Sequence, residues 1–460
     1  MERMGALDAE FLHLEDGITH MHIGSCAVFE GPAPSFDELE ALTEAKLETI
    51  PRYRKRVRFV PLQLGRPVWA DDPQFDVGRH LRRAVLRPPG DDDELRQFVG
   101  RVMSQELDRE HPLWQNWLVE GLADGRWALV TKVHHSMVDG VAGADLMAAM
   151  LDLEPDPPPP EPGQPWSPDP DPSTASLLVG AASHLAETLT TQARALPGAV
   201  REPARIVSRA ADVARGLATL GSTAQPGPHT SIEGPIGPDR RWTWTTTSLA
   251  SAKSAGRALG GTVNDVVLAT VAGGFRTLLS SRGEDPDTLS LRALIPVSIR
   301  TEHGALDNQV SAMVATLPID VADPVDRMAA VQAEMARLKG SHEAEAGETM
   351  IGLGGLAPPA VLAALSRGVV RVLERVPQRT VNTVATNVPG PQFPLYACGR
   401  EMLSFLPYVP IAPGAPIGVA ILSYNGELAF GVTGDADSAP DLDVLCEGIE
   451  ASLVDLRAAS

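Results

Sequence analysis

Apolar positions along the chain recur with two periods. A spacing near 3.6 predicts a short N-terminal helix carrying Leu7, Phe11 and Leu14, and helices over 36–50 and 94–107; in the last, Leu95, Phe98, Val99, Val102 and Met103 form one stripe. The same spacing predicts helices over 175–220, broken near Pro197 and Pro203, then 250–259, the run GGTVNDVVLATVAGGFRTLL, 324–338, 359–376 and 442–456. Asn264 stands where it can cap the helix that starts at Asp265. Alternating or β-branched runs predict strands over 21–29, 117–120, 127–135, 241–249, 289–300, 309–320, 381–391 and 415–435, with Asn425-Gly426 as a hairpin turn. Helices and strands alternate, so an α/β fold is expected.

One stretch gathers the chemistry. Residues 127–143 read WALVTKVHHSMVDGVAG, a strand that ends in a loop at Asp139-Gly140 and restarts as a helix. If 127–135 is extended, Trp127, Leu129, Thr131, Val133 and His135 share one face and Ala128, Val130, Lys132 and His134 the other. His135 then lies on the more apolar face, where partial burial keeps an imidazole neutral and able to take a proton from a hydroxyl or amine. A lone buried histidine is more often structural. A metal site would need a nearby third ligand, which the sequence does not supply, and adjacent side chains on a strand diverge.

Composition narrows the classes. A chain of 460 residues can hold two or three domains, and 43% hydrophobic with 21% charged residues fits a globular protein. A formal net charge of -20 argues against nucleic acid as a partner. Cys26, Cys398 and Cys446 are too scattered for a disulfide framework, which points to a cytoplasmic, reducing location. No apolar run is long enough to span a bilayer, so any membrane contact is expected to be peripheral. The basic run PRYRKRVR reads as a solvated edge or an anion-binding strip. Residues 152–172 hold ten prolines among acidic residues and read as an extended linker. Boundaries follow at 1–151, 152–235 and 236–460. Arg201, Arg205, Arg209 and Arg215, and again Arg367, Arg371 and Arg375, give locally basic helix faces that would suit a lipid surface. The chain has no GxSxG elbow and no phosphate loop, and GLGGLA at 352–357 lacks the preceding strand a dinucleotide site needs.

His134, His135, Asp139 and Gly140 spell HHxxxDG, which resembles the signature of the CoA-dependent acyltransferase superfamily. With LDAEFLHLED, MHIG, LDREHPLW, GPIGP at 234–238, TVNDVVLA, PVSIR, Asn308 with SAMVATLP, and TNVPGP, the chain is similar to the bacterial wax ester synthase/diacylglycerol acyltransferase family from about residue 4 to 457. The resemblance implies two chloramphenicol-acetyltransferase-like halves, joined by a crossover linker, with an active-site tunnel between them. It implies transfer of a long acyl chain from acyl-CoA, as substrate and without a cofactor, to diacylglycerol or a long-chain alcohol. His135 would be the general base, and Asn264, or Thr386 and Asn387, would donate to the oxyanion. Asp139 is expected to pair with Arg300 as a structural link. A peripheral membrane or lipid-droplet surface is an expected partner. Two alternatives stay open: an acyltransferase acting on a polyketide or a carrier-protein-linked substrate, and a non-catalytic lipid-binding protein of the same fold. GA at 5 and 6, where the family usually has Ser-Pro, and the long proline linker depart from the pattern.

Overall fold

The computed structural model describes residues 2–138, 150–158, 166–201, 229–298, 310–340 and 381–459. Its helices are α1 (Ala6–Leu14), α2 (Phe36–Lys46), α3 (Asp92–Met103), α4 (Thr174–Arg201), α5 (Leu249–Ala258), α6 (Val263–Ser281), α7 (Pro324–Gly340) and α8 (Leu442–Ala458). Its strands are β1 (Glu2–Arg3), β2 (His22–Phe29), β3 (Lys55–Arg58), β4 (Val68–Asp71), β5 (Leu81–Val85), β6 (Trp114–Glu120), β7 (Trp127–His134) and β8 (Arg240–Ser248). They continue as β9 (Leu291–Ser298), β10 (Val310–Leu317), β11 (Thr383–Pro389), β12 (Tyr396–Ala397), β13 (Arg400–Tyr408), β14 (Ile417–Tyr424) and β15 (Glu427–Asp435).

Caps and prolines set most helix ends. Ser35 and Glu38 form a capping box that starts α2. That helix stops at Lys46, short of 50, because Pro51 disfavours helical geometry at Ile50, which sits at φ -128° and ψ 70°. The apolar stripe of α3 is buried as its spacing predicts. Thr262, boxed with Asp265, caps α6, so Asn264 is not the cap but lies in the first turn. Helix α4 runs past Pro197 to Arg201, since one proline ring removes a ladder bond without necessarily ending a helix. The helix expected at 359–376, the one after Asp139, the GLGGLA run and the arginines at 205–215 and 367–375 lie outside the described residues.

The strands build two six-stranded mixed sheets, ordered β12-β13-β2-β7-β6-β5 and β10-β9-β11-β14-β15-β8, and a small sheet β1-β4-β3. Late sequence completes the early sheet: β13 runs antiparallel to β2, with Phe405 opposite Ala27 and Tyr408 opposite Gly24. Strands β12 and β13, from beyond 235, thus complete the first sheet, while the second sheet is built wholly from residues after 239. Helix α3 covers one face of the first sheet, and its Leu95, Phe98, Val99, Val102 and Met103 share a core with Trp242, Leu406, Tyr408 and Ala429. Helix α6, almost wholly buried, packs on the other sheet with α5, α7 and α8. The Asn425-Gly426 hairpin is present, both residues at positive φ.

The cations of the basic run at 51–58 are partnered within the chain. Arg52 and Lys55 pair with Glu2, Arg56 and Arg58 with Asp171, and the Arg54 guanidinium sits 5.3 Å from the Trp166 ring centroid. The second part of the acidic linker is therefore strapped across β3. Among the described residues no single helix is long and apolar enough to cross a membrane; the bent pair α5 and α6 passes by composition, and α6 is core.

The two sheets approach closely at the Pro407 carbonyl. Trp242 Nε1–H donates to the Pro407 oxygen at 3.1 Å, and a Cβ placed on Gly431 would lie 1.8 Å from that oxygen. Gly431→Ala should therefore force β13 away from β15 and cost about 1–3 kcal/mol, read as a lower midpoint in urea unfolding. An unchanged midpoint would show that the sheets can part freely there.

Candidate active site

Both faces of β7 are covered, one by α3 and one by the aromatic and aliphatic residues beneath the first sheet, so every residue of the strand is buried. The strand ends at His134. His135 opens a single 3-10 turn, His135–Met137, and does not continue the alternation of faces expected for 127–135. His134 is fully buried and His135 partly so, as a neutral imidazole there requires. Backbone bonds fix the pair, His134 N–H donating to Leu113 O at 2.9 Å and His135 N–H to Met21 O at 2.8 Å. LDREHPLW and MHIG thus hold the two histidines of the motif.

The His135 ring packs against Phe11 of α1, centroids 4.2 Å apart. Burial pushes its pKa down to about 4, so the imidazole is neutral near pH 7. Its Nδ1 is buried and has no hydrogen-bond partner among the described residues.

His134 faces the other way, into a cluster that the sequence did not single out. The β2–β7 register sets His22 directly opposite His134. Glu15, just past the end of α1, lies 3.2 Å from His22 Nε2 and 3.4 Å from His134 Nε2, and accepts from Arg109 at 2.6 Å. Burial alone would raise the Glu15 carboxyl; the facing His134 and His22 outweigh it and hold the carboxyl well below its usual range. His22 is pushed down to about 3 by burial. Lys132, fully buried on the same face, donates to Val102 O at 2.9 Å and to Gln105 O, closing the C-terminal end of α3. Burial lowers its pKa to about 7. Glu15, His22 and Arg109 sit inside LDAEFLHLED, MHIG and LDREHPLW, and Lys132 lies two residues before HHxxxDG. The signal that could have found them was a lysine and a histidine amid β-branched strand positions.

The oxyanion candidates divide. Asn387 Nδ2 donates to Asn264 Oδ1 at 3.2 Å, joining β11 to the start of α6 and leaving the Asn264 amide N–H group outside this bond. Thr386, one residue away on the strand, points to the opposite face from Asn387. Asp139, Gly140 and Arg300 lie outside the described residues.

The profile of the wax ester synthase/diacylglycerol acyltransferase catalytic domain matches residues 4–267, and that of the family's C-terminal domain matches residues 306–457. A probable diacylglycerol O-acyltransferase of Mycobacterium tuberculosis is 36% identical over 465 residues, covering 100% of this chain and 96% of the relative. The wax ester synthase/diacylglycerol acyltransferase of Marinobacter aquaeolei superposes with a TM-score of 0.67 at 27% identity, over 99% of both chains. A starter condensation domain of rhizomide synthetase shares the fold, with a TM-score of 0.59 at 13% identity over 99% of this chain and 94% of that one. With both of its domain profiles matched in order and relatives aligned end to end, the chain belongs to the wax ester synthase/diacylglycerol acyltransferase family.

Proposed function

We propose that this protein transfers a long acyl group from acyl-CoA to diacylglycerol or a fatty alcohol, forming triacylglycerol or wax ester, with His135 as the general base. The observation that carries the role of His135 is a neutral, partly exposed imidazole at the end of β7, inside the matched catalytic domain. A thioester is already activated, so the reaction needs neither a covalent nucleophile nor a resident cofactor. His135 takes the hydroxyl proton as the alcohol oxygen attacks the thioester carbonyl. The tetrahedral oxyanion then collapses, the C–S bond breaks, and the proton returns from the imidazolium to the CoA thiolate. The Asn264 amide, at the positive end of α6, is the donor we assign to the oxyanion. Substrates reach it through a tunnel between the halves, acyl-CoA from one mouth and the acceptor from the other. The unpaired cysteines suit a cytoplasmic location.

A water-insoluble acceptor must be collected at a lipid surface, so peripheral association with a membrane or lipid droplet belongs to the same proposal. The turn after β3 supports it: Leu62 is 84% exposed and Leu64 51%, with Leu62 and Gln63 at φ 57° and 55°. Left-handed backbone at non-glycine residues costs about 1–3 kcal/mol each, yet it is spent here on turning leucines outward. Phe59 of this turn lies 6.5 Å, ring to ring, from His13 on α1, the helix whose Phe11 covers His135.

His135→Ala should lower turnover by at least about 10²-fold, measured with labelled acyl-CoA and hexadecanol; wild-type turnover would remove His135 from the chemistry. With the base at a pKa of about 4, protonation stops it only in acid. The acid limb of kcat/KM should therefore fall well below the ordinary histidine value of about 6.5. A limb at 6.5 would mean an exposed, unperturbed imidazole. Wild-type protein should float with vesicles containing diacylglycerol, whereas Leu62→Glu/Leu64→Glu should stay behind at an unchanged melting temperature. Equal flotation of the two would place lipid contact elsewhere.

A further inference from the structure

Four stretches of the sequence, two of them near the N-terminus and two roughly a hundred residues later, meet at the Glu15 carboxylate. Glu15 comes from LHLED, His22 from MHIG, Arg109 from LDREHPLW and His134 from HHxxxDG. The carboxylate is 7% exposed. Its Oε2 takes Arg109 at 2.6 Å and faces His134 Nε2 at 3.4 Å; its Oε1 faces His22 Nε2 at 3.2 Å and the Met21 N–H at 3.4 Å. The two imidazoles face it at contact distance, without the alignment of a strong hydrogen bond.

His134 has little freedom in this arrangement. Its Nδ1 accepts the Ser136 backbone N–H at 3.1 Å and lies 2.7 Å from the Ser136 hydroxyl. A neutral ring whose Nδ1 accepts must carry its proton on Nε2, which is the atom turned to Glu15. His22 differs, because its Nδ1 is buried without a partner and its proton can sit on either nitrogen. The Ser136 N–H that His134 holds belongs to the one turn that carries His135 out of the strand.

We propose that Glu15 is a positioning residue: its carboxylate keeps His134 in the Nε2–H form, and His134 fixes the turn that presents His135. This rests on the reading of His135 as the base. The geometry separates the variants. Glutamine can turn its oxygen to Arg109 and His134 and its NH2 to His22, which changes tautomer to accept. Glu15→Gln therefore keeps the acceptor that His134 needs. Glu15→Ala and the volume-matched Glu15→Met remove it.

The test measures kcat and KM for acyl-CoA and hexadecanol, with melting temperatures, in the full-length protein. Glu15→Ala and Glu15→Met should lower kcat by at least about 10-fold with KM within about 2-fold of wild type, and Glu15→Gln should recover most of the loss. His134→Asn keeps an acceptor for Ser136 but does not reach Glu15. In that background Glu15→Met should cost less than about a further 2-fold. A kcat within about 2-fold of wild type in Glu15→Met, or a loss undiminished in the His134→Asn background, overturns the proposal. His135→Ala measured alongside separates the two readings. If it stays active, the base assignment has failed; if it is dead while Glu15→Met is not, only the positioning role has failed.

Discussion

A buried carboxylate facing only donors is the constraint on which the rest of the site depends. Removing a charged group from water costs several kcal/mol, and the cost is offset only where partners stand in the right places. Around Glu15 those partners are Arg109 on the loop before β6, His22 on β2 and His134 on β7. The end of α1, the 107–114 loop and the β2–β7 register must therefore all be correct at once. A shift of one residue between β2 and β7 would turn His22 to the other face and leave the carboxylate with one imidazole fewer. The arrangement that satisfies Glu15 is also the one that ends β7 at His134 and turns His135 toward Phe11.

The second constraint joins the halves. Strand β13 leaves the later part of the sequence to pair with β2, and its Pro407 carbonyl meets Trp242 and the bare backbone of Gly431. Arg240, at the start of β8, adds a backbone N–H to Ser104 Oγ at 2.8 Å and a guanidinium contact to Ile18 O. The α3 core is accordingly built from both halves. His135, at the end of the first sheet, and the Asn264–Asn387 amide pair beside the second are thereby held in one framework.

Much of this was legible because local pattern and tertiary role agree. The α3 stripe, the buried α6 run and the Asn-Gly hairpin are dictated by periodicity and turn chemistry alone. Strand β13 was not legible: Pro407 and the register shift between Met402 and Ser404 break its alternation, and both are tolerated because its outer neighbour β12 is only two residues long. The strand expected over 127–135 ends one residue earlier, because His135 turns out of it into a 3-10 turn. Asn264 looked like a cap, yet Thr262 with Asp265 forms the better box and frees it for Asn387. The Glu15 cluster depends on contacts between strands and loops, which no local window records.

The protonation of His134 tests the account most directly. In protein labelled with ¹⁵N-histidine, ring nitrogen shifts at pH 7, assigned with the His134→Asn variant, report which nitrogen bears the proton. The account predicts a proton on His134 Nε2 and a bare, accepting Nδ1, beside a neutral His135. A proton on His134 Nδ1, or an imidazolium at His135, would contradict it.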